Sequence, residues 1–129
     1  MTPKEKIESY LMKLSLTYQE AGTNGWLVSD PEKGLYNVGV MIADSLLLMR
    51  VDVMQAPEKG TEKLFEELLR LNAKDMVHGA YGIDGKTIVI TDSLELDTLD
   101  LEEFQASLDA ISLALAQHFR ILSKYRARK

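Results

Sequence analysis

The apolar residues between Leu35 and Met54 recur with a period of two on either side of one tight break, Ala43-Asp44-Ser45. Tyr36, Val38, Val40 and Ile42 share one face of the first run; Leu47, Met49, Val51 and Val53 share one face of the second. A period of two lines up side chains on a strand face and not along a helix stripe. Two strands joined by so short a connection run antiparallel. Such a pair does not hold its shape alone in water, so the rest of the chain has to extend the sheet and cover a face of it.

The flanking segments supply the parts. Thr2-Pro3-Lys4-Glu5 opens a helix: Thr2 caps it, Pro3 suits the first helical position and Glu5 completes a capping box. Ile7, Tyr10, Leu11, Leu14 and Tyr18 continue it at helical spacing, and Gly22-Thr23-Asn24-Gly25 stops it. Trp26–Asp30 reads as a short strand, followed by a turn at Pro31–Gly34. Past Pro57, Thr61 is expected to cap a helix carrying Leu64, Phe65, Leu68, Leu69 and Leu71, with Asn72 as its left-handed end cap. Val77–Ile83 and Lys86–Asp92 are predicted to form a hairpin about Asp84-Gly85, a pair that favours a type I′ turn. Asp100 and Glu103 make a second capping box. Leu101, Phe104, Leu108, Ile111, Leu115, Phe119 and Leu122 then stripe a long final helix. The predicted fold class is α+β: a five-stranded antiparallel sheet with three helices, in the order α-β-β-β-α-β-β-α, with residues 1–129 as one domain.

Composition narrows the function classes. Without cysteine there are no disulfides, thiolate metal sites or cysteine nucleophiles, which suits a reducing compartment. Met1–Ser9 is charged and lacks the apolar core of a signal peptide, and apolar runs such as Leu46–Met49 are too short to span a bilayer. The expected location is the cytoplasm. Residues 120–129 hold five basic residues (Arg120, Lys124, Arg126, Arg128, Lys129) and no acidic one. The preceding 119 residues carry ten basic against 20 acidic side chains, a net of −10. An acidic body argues against nucleic acid as a partner, and the basic tail reads as a solvated helix end whose cations complement the helix C-terminus.

Nothing in the sequence assembles a reaction centre. His78 and His118 lack metal-ligand spacing and read as structural or surface residues. Asp92, Glu95, Asp97, Asp100, Glu102 and Glu103 gather near the last helix start, where carboxylates offset the helix macrodipole. Gly79-Ala80-Tyr81-Gly82 lacks the lysine of a phosphate loop and suits close backbone approach in a hairpin. No catalytic residue, metal site or cofactor is expected. The strand from Leu46 is instead apolar on both faces at its start, which asks either for helices on both sides of the sheet or for a surface that meets another chain.

The element order, with Leu68-Leu69-Arg70-Leu71-Asn72-Ala73 closing the middle helix, resembles the type III secretion chaperone-like fold shared with YbjN-like proteins. The Gly79–Ile83 strand with its Asp84-Gly85 turn, Thr87–Ile90, and Leu94–Leu99 leading into Leu101–Phe104 extend the resemblance over nearly the whole chain. It implies a bacterial homodimer, chaperone-like or regulatory, that binds a protein client through its surface without cofactor or ATP. The basic tail departs from a uniformly acidic chaperone. The expected function is a non-enzymatic protein-binding module whose apolar contacts lie on Leu46, Leu48, Met49 and Met54. The alternative is a small-ligand-sensing domain or an enzyme, with a pocket lined by Tyr36, Tyr81 or the acidic cluster.

Overall fold

The computed structural model describes residues 1–126. Helix α1 (Pro3–Lys13) is followed by strands β1 (Thr17–Glu20), β2 (Gly25–Asp30), β3 (Leu35–Ala43) and β4 (Leu46–Gln55). Helix α2 (Thr61–Lys74), strands β5 (Ala80–Asp84) and β6 (Thr87–Glu95) and helix α3 (Leu101–Ser123) complete the chain. One antiparallel sheet of six strands results, in the spatial order β1-β2-β3-β4-β6-β5. The middle helix carries the chain across the sheet, so β6 joins β4 and β5 becomes an edge.

Both capping boxes form: Thr2 with Glu5, and Asp100 with Glu103. The five-strand expectation is corrected to six. α1 stops at Lys13, well before Tyr18, because Ser15 takes a left-handed φ of 56° that a helix does not continue through. Thr17-Tyr18 then turns into a strand paired to Val28 and Ser29. Tyr18 does sit at helical spacing from Leu14, but β-branched and aromatic residues are also strand formers, and the sheet decides.

Two bulges shift which residues face inward. Asn37 has φ 53° and donates its backbone N–H to Ser29 Oγ, so Leu35 turns into the core and Tyr36 out to solvent. A register shift between Asp52 and Met54 likewise buries Met54 and leaves Val53 half-buried. The hairpin loop is Gly85-Lys86, one residue later than expected. Only Gly85 has positive φ there, the pattern of a type II′ turn and not of type I′. The preceding strand starts at Ala80 and not at Val77, which is exposed.

The inward face carries Trp26, Val28, Val38, Val40, Leu47, Met49, Val51, Ile88 and Ile90. It forms one core cluster with Ile7 and Leu11 of α1, Leu64, Leu68 and Leu71 of α2, and Phe104, Leu108 and Ile111 of α3. All three helices therefore cover the same face of the sheet. Tyr10 stacks at a tilt on Phe104 and donates its hydroxyl to the Leu99 carbonyl, fixing α1 to the start of α3.

Thr61 does not cap α2; Gly60 takes the N-cap position with φ 79°. Asn72 is not an end cap either, since α2 runs on to Lys74. Its side-chain amide accepts from the Tyr81 N–H and donates to the Tyr81 carbonyl. It thus occupies the outer edge of β5 as a neighbouring strand would, and blunts that edge against further pairing. Asn72→Ala leaves both backbone groups without this partner and is expected to cost about 1–3 kcal/mol, read as a lower urea midpoint with unchanged slope.

Candidate functional site

Among the described residues, no element covers the sheet face turned away from the helices. Strand register assigns its residues in rows. One row runs Gln19, Leu27, Gly39, Arg50, Thr91, Ala80, and the next runs Gly25, Met41, Leu48, Ser93. Between and beneath these side chains lies a hollow of about 670 Å³ lined by residues from β2 through β5, crossing five strands. Leu27, Met41 and Leu48 give it apolar walls, and Met41 is 50% exposed.

Three glycines line this hollow, for different reasons. At Gly25 a Cβ would stand 2.6 Å from the Ala21 carbonyl oxygen, and at Gly79 it would stand 2.6 Å from that of Thr91. Gly79 also has φ 77°. Both positions need glycine for the backbone to pass. At Gly39 the nearest atom to a Cβ is the Arg50 carbonyl oxygen, at an ordinary 3.6 Å, and the backbone is not left-handed. The fold has no need of glycine at Gly39; its missing side chain keeps the floor of the hollow open.

Charge frames the hollow on both long sides. Arg50 donates to Asp52 at 3.2 Å and, reaching across β6, to Asp84 at 2.6 Å. The Arg50 pKa is raised above its ordinary value, first by the hydrogen bond it donates to Asp84 and then by the one it donates to Asp52. The bridge lies over Val89, which is buried although it sits on the uncovered face. Glu95 stands in the row beyond Ser93, beside Leu46.

The four side chains expected to make apolar contacts fall on two faces. Leu46, 37% exposed, and Leu48, half-buried, lie on the open face. Met49 and Met54 are 1% and 7% exposed and point into the core under the helices. Leu27, Gly39, Met41 and Arg50 also belong to the hollow and lie outside those four. A glycine inside an otherwise apolar strand was the available signal, because it marks a place where something approaches the backbone.

The residues proposed for a ligand pocket do not converge. Tyr36 is exposed on β3, whereas Tyr81 is buried on β5. Asp100 and Glu103 are occupied in capping α3, and Asp92 accepts a hydrogen bond from Ser107 Oγ. Among the described residues no group of three or more His, Asp and Glu side chains is placed to hold a metal ion.

His118 has a structural task that its sequence context does not reveal. It is 1% exposed and sits between the Tyr81 hydroxyl, 2.7 Å from Nδ1, and Asp75, 3.1 Å from Nε2. These contacts tie α3 to β5 and to the end of α2. Burial, with the charge of Asp75 nearby, pushes the Tyr81 phenol up to about 12. The folded state thus holds this proton more tightly than the unfolded chain, where tyrosine titrates near about 10. This stabilisation is complete below about pH 10 and is lost as pH rises from there to about 12. Urea midpoints are expected to fall steeply across that window, and Tyr81→Phe, which has no such proton, is expected to show a shallower fall.

Of the basic tail, Lys124 lies 3.6 Å from Glu67, and Arg126 reaches the Val53 carbonyl and the Phe119 ring. Arg128 and Lys129 lie outside the described residues. No helix is long and apolar enough to cross a membrane among the described residues.

Comparison with known proteins bears on the fold. The model of the family CesT_Tir_1 matches residues 2–128. No curated protein matches the sequence. Among solved structures, YbjN from E. coli superposes with a TM-score of 0.67 at 14% identity, over 90% of each chain. The Yersinia pestis type III secretion chaperone SycH, solved in complex with a fragment of YscM2, gives a TM-score of 0.65 at 14% identity, over 90% of this chain and 98% of that one. The heterodimeric complex ExoU–SpcU from the type III secretion system of Pseudomonas aeruginosa gives 0.61 at 10% identity, over 86% and 93%. At these identities the likeness is one of fold.

Proposed function

The chain belongs to the CesT_Tir_1 family, a type III secretion chaperone family, and on that premise we propose that it is a non-enzymatic module that binds a segment of another protein on its uncovered sheet face. One observation carries the reading. Three helices cover one face of the sheet, while the other holds an apolar hollow whose floor is kept open by a glycine the fold does not require. Apolar surface left in water without internal cover is surface that a partner can bury. Leu46 and Leu48 are retained as contacts, and Leu27 and Met41 are added to them; Met49 and Met54 serve by holding the strand on its core side. The type III secretion chaperone SycH, which shares this fold and was solved in complex with a fragment of YscM2, supports a protein partner over a small molecule.

The residues form a single domain in this reading, and the module works in the cytoplasm as a homodimer. Its copy-to-copy contact falls on the opposite side of the molecule, where Phe65, Leu69 and Ile83 are exposed and Phe65 and Ile83 border a second hollow of about 400 Å³. Leu69→Asp puts a charge into that contact, and sedimentation is expected to show it monomeric at concentrations where the parent chain is dimeric.

Photo-cross-linking tests the binding face. A benzophenone residue placed at Met41 or Leu48 is expected to trap a discrete host protein. The same probe at Met12 or Leu113, exposed on the helices, is expected to trap none. Equal adducts from both sets, or adducts from the helix positions alone, would remove the sheet face from the account.

A further inference from the structure

The shape and chemistry of the hollow restrict what can occupy it. It crosses the strands from β2 to β5. Four inter-strand spacings make it about 19 Å long. Its floor is nearly apolar, and the backbone groups of β3, β4 and β6 are taken up by pairing with strands on both sides. An extended peptide laid across the strands would bring one N–H and one C=O per residue against Leu27, Met41 and Leu48, with no backbone to pair them. Adding a strand at the neighbouring β5 edge is impeded at Tyr81, whose outward N–H and carbonyl are held by Asn72. A helix meets the same floor with its backbone already satisfied, and about 13 residues of helix fill about 19 Å.

Charge decides what borders the apolar stripe of that helix. Along one side of the hollow Asp52 and Asp84 share the single cation Arg50, and along the other stands Glu95. Three carboxylates against one guanidinium leave both sides acidic. A segment carrying Lys or Arg next to its apolar stripe is matched there, whereas one carrying Asp or Glu is repelled.

We infer that the occupant is an amphipathic α-helix of another protein, lying across the strands, with apolar anchors at i, i+3 or i+4, and i+7 and with basic residues on both borders of that stripe. This rests on the reading of the uncovered face as the binding face, and it names the kind of segment that face takes.

A displayed library of random peptides about 16 residues long, panned against the full chain, tests it. Enriched peptides are expected to show helical apolar spacing with Lys or Arg alongside, to gain helical circular dichroism on binding, and to bind at least about tenfold more weakly at high salt. Gly39→Trp fills the floor and Leu48→Asp charges the wall; each is expected to lose the enriched peptides while keeping the thermal midpoint of the parent chain. Enriched peptides with period-two alternation, or with acidic borders, would overturn the helix and leave the binding face standing. Undiminished binding to both variants would move the site elsewhere and overturn the inference with its premise. Failure to enrich any peptide would overturn the helix alone, since the face itself is read independently by cross-linking at Met41.

Discussion

Gly79→Val is expected to cost about 3–5 kcal/mol of stability, enough to leave a domain of this size partly unfolded, whereas Gly39→Val is expected to cost nothing measurable. The two glycines line the same hollow, yet they answer to different constraints. At Gly79 a side chain must adopt a φ of 77°, and its Cβ must enter within 2.6 Å of the Thr91 carbonyl oxygen. Either β5 shifts away from β6 or the strand start unravels, and Tyr81, with its bonds to Asn72 and His118, goes with it. At Gly39 the backbone is ordinary and the added atoms point into open space, 3.6 Å from their nearest neighbour. A β-branched residue in mid-strand recovers chain entropy that glycine forfeits, so Gly39→Val is expected to be neutral or stabilising by about 0.5–1 kcal/mol. Urea unfolding of the two variants side by side checks both numbers. A large loss at Gly39 would mean that the fold itself requires this glycine and that its missing side chain does not serve to keep the floor open for a partner.

The second large effect is on binding. Gly39→Trp is expected to weaken the captured partner by about 100-fold or more, with the thermal midpoint held. An indole at that position occupies the space between Leu27 and Arg50 that a partner's central anchor would take. Central, desolvated positions of an interface carry most of its energy, so a block there is felt far more than one at the rim. Titration calorimetry with the partner trapped at Met41 gives the ratio directly. Retention of affinity would place the contact away from the β3–β4 rows.

Much of this architecture is visible in the residues themselves. Both capping boxes, the β3–β4 pair and the long last helix follow from local chemistry, which the tertiary structure had no cause to override. β1 was hidden because Tyr18 fits a helix stripe and a strand equally well, and only Ser15, at a φ of 56°, ends the first and begins the second. The inward positions of Leu35 and Met54 depend on bulges, which a strict period of two does not contain. Asn72 looked like an end cap because its side chain is short and polar; its real partners lie nine residues on, in a strand that had first to be placed beside it.

The same division holds for the site. The doubly apolar start of β4 announced that something had to be covered, and Leu46 and Leu48 do lie on the open face. Met49 and Met54 were grouped with them because methionine suits adaptable surfaces as well as cores. Burial separates the two cases, and burial is a property of where the helices go. The hollow needs β2, β3, β4, β6 and β5 in register, and that order arises only once α2 has carried the chain across the sheet.

Methionine methyl resonances give the most direct test of the uncovered face as the binding face. Met41 lies on it, Met49 and Met54 lie in the core behind it, and Met12 is exposed on the helix side. In a chain labelled only at its methionine methyls, addition of the captured partner is expected to shift or broaden Met41 most strongly and to leave Met12 in place. A complex in which Met12 moves and Met41 does not would contradict the account, because the partner would then sit on the helices.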